Sequence, residues 1–233
     1  MELSLIQKIA VFALPVIFAI TLHEAAHGYA ALRFGDGTAK QFGRLSLNPL
    51  RHVDPVGTVL VPLLILVASK LAAGSGILFG WAKPVPVNFA NLRRPKRDML
   101  WVAAVGPGAN LVMALFWAAT IKLALFLPQA LQVPLMLMGA AGIFINAVLM
   151  AINLIPLPPL DGGRIAVSLL PHRLAYRLAR VEPYGILILL GLIILGLLGV
   201  IVWPLIEALI ALCALLIAVP AVDLLTLIQI VLN

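Results

Sequence analysis

The chain alternates long apolar runs with short polar breaks, and the breaks carry most of the charge. Residues 5–32 form the first run. As a helix it is long enough to cross the hydrocarbon layer, which takes about 20 residues. Pro15 is expected to kink it, and Gly35-Asp36-Gly37-Thr38 ends it. Over residues 42–47, Phe42, Arg44 and Ser46 alternate with Leu45 and Leu47, a period of two that predicts a short strand before the Asn48-Pro49 turn. Residues 56–71 are apolar again and just long enough to span, until Gly74-Ser75-Gly76 breaks them. In Gly80-Trp81-Ala82-Lys83-Pro84-Val85-Pro86-Val87 the prolines exclude a helix interior and favour an extended edge.

Two further spans follow at residues 99–127 and 133–154. The first carries Gly106-Pro107-Gly108-Ala109-Asn110, where small residues permit close helix approach and an amide can bond across an interface. The second ends in Asn153-Leu154-Ile155-Pro156-Leu157-Pro158-Pro159-Leu160-Asp161-Gly162-Gly163. Its prolines predict an extended stretch, and Asp161-Gly162 a turn or helix cap. Residues 164–180 read as a basic interfacial helix broken at Pro171, and residues 183–202 and 204–230 as two last spans. The expected fold class is therefore an all-α polytopic membrane protein. It has about six hydrophobic helical segments and a small membrane-associated β element at residues 80–87. Residues 1–233 make one integral-membrane domain, with a core at about 5–170 and additional spans at about 183–230.

Composition supports that class. Hydrophobic residues are 63% of the 233 and charged residues 11%, and the mean hydropathy is +1.13. Soluble domains run at roughly 45–50% apolar and about 25% charged. The net charge of +7 is read as orienting loop charge, with no nucleic-acid partner. A single cysteine, Cys213, excludes an intrachain disulfide and reads as a buried thiol. Lys8 before an apolar run imitates a signal peptide, but no small-x-small site precedes His23, so the run is read as a retained span.

The basic residues fall into three groups: Arg33, Lys40, Arg44 and Arg51; Lys83, Arg93, Arg94, Lys96 and Arg97; Arg164, Arg173, Arg177 and Arg180. The positive-inside rule puts all three on the cytoplasmic side. Parity then requires residues 56–87 to enter the membrane and return, the N-terminus to lie outside and the C-terminus inside, with His27 and Asp161 toward the cytoplasm. The expected location is a prokaryotic cell membrane.

The candidate chemistry sits inside the first run, in His23-Glu24-Ala25-Ala26-His27. Four residues apart on a helix, both imidazoles leave one face and can share one zinc, with Glu24 beside them as a base. Ionisable groups at membrane depth are functional candidates by default. A catalytic zinc needs a third protein ligand. His52, His172, Asp54 and the remaining acids are available. Asp161 is best placed, closing a proline-stiffened run on the same expected side, with a turn cap as its competing role. His52 and Asp54 at an interfacial turn more often cap or pair.

His23-Glu24-x-x-His27, Gly106-Pro107-x-x-Asn110 and Asn153-x-x-Pro156-x-Pro158-Pro159-Leu160-Asp161-Gly162 together resemble the site-2 protease family of intramembrane zinc metalloproteases, in its compact prokaryotic branch without PDZ or CBS domains. The resemblance implies that His23, His27 and Asp161 bind one zinc and that Glu24 is the general base. It implies that Asn153 helps bind substrate or the oxyanion, and that a membrane-embedded edge, here Gly80 and Trp81 onward, receives an unwound transmembrane substrate. The activity implied is regulated intramembrane proteolysis by a zinc endopeptidase. The alternatives are a membrane metalloprotease acting on soluble or misfolded proteins, a non-enzymatic zinc transporter or sensor, and an inactive relative that binds membrane segments.

Overall fold

The computed structural model describes residues 3–52, 54–61, 64, 67 and 83–232, and every regular element among them is helical. Helix α1 is Leu5–Phe34. Ser4 starts it with a capping box: its hydroxyl accepts from the Gln7 N–H, and the Gln7 side chain accepts from the Ser4 N–H. Gly35, at φ 114°, ends it, a left-handed conformation that costs glycine little. The helix runs through Pro15, which is fully buried. A short helix α2, Thr38–Gln41, follows.

No strand forms at residues 42–47. The carbonyls that an edge would offer are taken by side chains instead. Arg51 donates to the Gly43 carbonyl, and the His52 ring sits 2.8 Å from that of Ser46. Such local bonds compete with ladder formation. Asp54 then caps a π-helical turn, Pro55–Leu60, by accepting from the Val56 N–H. Most of the expected 56–87 hairpin, including Gly80 and Trp81, lies outside the described residues; residues 83–88 belong to no helix or strand.

Helices α3 (Pro95–Ala124) and α4 (Gln129–Asn153) form the centre, and α1 lies against both. The Trp117 ring of α3 fills the space where a side chain on Gly142 would stand, so the small-residue stretch of α4 admits the bulkiest side chain of its neighbour. Beyond α4, helix α5 (Asp161–Leu169) and helix α6 (His172–Ala179) are separated at Leu170 and Pro171, as the sequence predicts. Arg173, Arg177 and Arg180 are exposed there while Ala175 is buried.

The last segments divide differently from expectation. Helix α7 is only Gly185–Ile194, helix α8 is Leu197–Ile217 and helix α9 is Ala221–Leu232. Pro204 lies inside α8, and the breaks fall at Gly196 and Ala218, both at positive φ. Helices α8 and α9 close the core, where Ile206, Ile210 and Cys213 meet Leu224, Ile228, Ile121 and Ile143. Among the described residues, four helices are long and apolar enough to cross a membrane: α1, α3, α4 and α8.

Candidate active site

His23 and His27 stand one turn apart on α1 with their Nε2 atoms 3.1 Å from each other. Asp161, the first residue of α5, brings Oδ2 to 3.2 Å from both. The three atoms form a near-equilateral triangle. Ligands held at about 2.0–2.2 Å by a tetrahedral ion lie about 3.3 Å apart, so one small cation above the triangle reaches all three. Asp161 Oδ2 is buried and has no hydrogen-bond donor, an arrangement that a cation resolves. His23, His27 and Asp161 are the one cluster among the described residues suited to holding a metal.

The far side of each ring is fixed by its neighbours. His23 Nδ1 lies 2.6 Å from Asn110 Oδ1, and His27 Nδ1 lies 2.7 Å from the Val102 carbonyl. Both partners accept, so each Nδ1 carries the proton and each Nε2 keeps its lone pair for a metal. Asn110 is oriented in turn: its Nδ2 donates to Asn146 Oδ1 at 2.9 Å, and Asn146 donates to the Gly142 carbonyl at 2.8 Å. Both amides are fully buried. The rings also need room. A Cβ on Gly106 would overlap the His27 ring and come within 2.8 Å of His23 Cε1.

Asp161 is presented by a tight fold of the proline-rich turn after α4. Leu157 N–H bonds to the Ile155 carbonyl and Leu160 N–H to that of Leu157, at 2.7 and 2.9 Å. Gly162 lets the first turn of α5 press against the Leu154 and Ile155 carbonyls, where a Cβ would collide.

Glu24 accepts, on Oε2, the Val85 N–H at 2.7 Å. Residues 83–92 run past the site and are tied to α1's end. Asp36, fully buried, accepts from the Thr38 N–H and hydroxyl, the Asn88 N–H and the Asn91 amide at 2.5–3.1 Å. Burial opposes ionisation of Asp36, yet these donors outweigh it and hold its carboxyl below the ordinary 3.8.

A protein of Bacillus subtilis named "Putative zinc metalloprotease YwhC" is 37% identical over 197 residues, which cover 83% of this chain and 84% of that protein. The chain belongs to peptidase family M50. The family model, Peptidase family M50, matches residues 128–198, the part that holds Asn153 and Asp161. Two mycobacterial proteins are each named "Putative zinc metalloprotease Rip2". The one from Mycolicibacterium smegmatis is 30% identical over 76% of this chain and 64% of its own length. The one from Mycobacterium tuberculosis is 32% identical over 67% and 54%. No solved structure matches the chain.

Set within family M50, the other sequence candidates fall as follows. Asn153 is the last residue of α4, and its amide donates to the Leu149 carbonyl at 2.9 Å. His52 is buried beside the Ser46 carbonyl, and Asp54 caps a helical turn. Neither belongs to the triangle, nor does His172. Sequence reasoning missed Asn146, Asp36, the Val102 carbonyl and the Val85 amide. Asn146 had a signal, as a lone amide in an apolar run. Val85 had a fainter one, as the sole N–H between two prolines. The Val102 carbonyl had none.

Proposed function

We propose that this chain is an intramembrane zinc metalloendopeptidase that hydrolyses peptide bonds within or near transmembrane segments of membrane proteins. The observation that carries the reading is the His23–His27–Asp161 triangle beside Glu24, on a helix apolar enough to span a membrane. The relatives' names, both zinc metalloproteases, support zinc as the metal.

A zinc held there would polarise a carbonyl and lower the pKa of a water to about 7. The remaining work belongs to the chain. His23 and His27 offer Nε2 because Asn110 and Val102 hold their Nδ1 protons. Glu24 takes a proton from the attacking water and returns it to the leaving amine. Asn153, released from Leu149, is the donor proposed for the developing oxyanion. Gly80, Trp81 and residues 83–87 are the proposed edge for an unwound substrate. About six hydrophobic segments and a cytoplasm-facing site complete the reading, the latter supported by the grouping of the basic residues.

The test is purified protein in liposomes with a transmembrane peptide, comparing wild type with Glu24→Gln. Cleavage by the wild type alone supports the assignment; equal cleavage by both removes Glu24 as base. A cytosolic unfolded protein as the second substrate separates the membrane-substrate reading from its alternative.

A further inference from the structure

Residues 83–93 form a strap, held from both sides. At one end the Lys83 N–H bonds to the His52 carbonyl at 2.9 Å, and Arg44 Nη2 donates to the Lys83 carbonyl at 2.8 Å. At the other, Asp36 takes the Asn88 N–H at 2.7 Å and the Asn91 amide at 3.1 Å, and the Arg93 N–H bonds to the Phe34 carbonyl at 3.0 Å. Between the anchors lies Pro84-Val85-Pro86. Proline has no N–H, so this tripeptide owns a single backbone donor. That donor is spent on Glu24 Oε2, at 2.7 Å. Val85 itself is 7% exposed, and its side chain comes so near α1 that a Cβ on Gly28 would lie 3.1 Å from Val85 Cγ1.

We propose that the Val85 amide is a positioning donor for Glu24, held in place by the Asp36 latch. The proposal rests on the protease reading of this site. A glutamate has three side-chain torsions and no fixed direction of its own. An amide clamped at both ends of its segment fixes one carboxylate oxygen, and Oε1 takes no hydrogen bond from the described residues, which leaves it to receive a proton. The inward direction of this N–H means that the strap does not offer it to a bound peptide: in these three residues, pairing with substrate is left to carbonyls.

The test uses Val85→Pro, which replaces the N–H with a ring carbon, so Glu24 Oε2 loses its donor and must leave its position. Val85 already precedes a proline and is confined to extended backbone, and Pro84 precedes only one more. Val85→Ala keeps the amide and removes the side chain. In the zinc-loaded full chain, Val85→Pro is expected to lower kcat about 100-fold, the scale of a misplaced catalytic group, with KM and zinc stoichiometry unchanged. Val85→Ala keeps the donor, and its kcat is expected to fall at least about tenfold less than that of Val85→Pro. Wild-type kcat in Val85→Pro overturns the proposal, as does equal loss in Val85→Ala, which assigns the effect to packing. A second measurement stands apart from activity. In hydrogen exchange by mass spectrometry, Pro84-Val85-Pro86 contributes one exchangeable amide, so its signal is assignable. Its exchange is expected to quicken at least about tenfold in Glu24→Ala; an unchanged rate overturns the contact. A wild type that cleaves nothing while Val85 exchange responds to Glu24→Ala counts against the protease reading, not against the contact.

Discussion

His23 and His27 owe their metal-ready lone pairs to hydrogen bonds made on the opposite side of each ring. For His23 the partner is Asn110, and Asn110 is itself locked by Asn146. Removing Asn110 leaves a ring nitrogen and the Asn146 carbonyl oxygen buried without partners, at about 1–3 kcal/mol each. Asn110→Ala is expected to weaken zinc binding about 10–100-fold, the usual cost of losing an outer hydrogen bond to a metal-ligating histidine, measured by chelator competition. An unchanged affinity would remove the relay. Gly106→Ala tests sterics at the same place. Its new methyl group occupies the His27 ring position, so the variant is expected to lose stoichiometric zinc while far-ultraviolet circular dichroism keeps its helical signal. These two residues also mark the limit of sequence reading at this scale. An asparagine and a glycine in an apolar run are visible as unusual, but which ring each one serves depends on the packing of α1 on α3.

At the scale of elements, the strap and its latch tie the end of α1 to the start of α3. Asp36 titrates below its ordinary 3.8 because the Thr38, Asn88 and Asn91 donors outweigh its burial. A carboxyl with a depressed folded pKa gives stability that is complete above the unfolded value and lost as pH falls through the folded one. Asp36→Asn is therefore expected to lower the thermal midpoint by a constant amount between about pH 5 and 8. The two midpoints should converge below pH 3.8, as the wild-type carboxyl protonates. A difference that persists at low pH would place the effect elsewhere. The elements were unevenly legible. Helix α1 followed from its apolar length, and its Gly35 stop and the Pro171 break from glycine and proline chemistry. The expected break at Pro204 did not form, because Gly196 adopts φ 70° and ends α7 eight residues earlier. Glycine is common inside membrane helices, so an apolar run gives no local sign of which glycine turns left-handed. The strand expected at residues 42–47 rested on a two-residue period alone, and its carbonyls found side chains of Arg51 and His52 instead.

Across the whole molecule, exposed apolar side chains line the outer faces of the long helices: Ile6, Ile9 and Phe18 on α1, Val112, Phe116 and Leu123 on α3, Ile201 and Leu215 on α8. A soluble surface does not carry such continuous patches, and lipid covers them without cost. A reporter fused after Asn91 is expected to read cytoplasmic, with the basic residues on either side of it; an extracytoplasmic signal would reverse the site's orientation. The proposed third ligand shows what sequence supplies at this scale. Asp161 follows His27 by more than a hundred residues; its place at the end of a proline-stiffened run made it the best-placed acid and the family resemblance strengthened the choice, and the fold brings its Oδ2 to 3.2 Å from both histidines. The most direct test of the account is cleavage of a transmembrane peptide in liposomes by wild-type protein and by Glu24→Gln, with zinc measured in both. The account predicts cleavage by the wild type, a loss of at least about 100-fold in the variant, and equal zinc. Equal cleavage with equal zinc would contradict it.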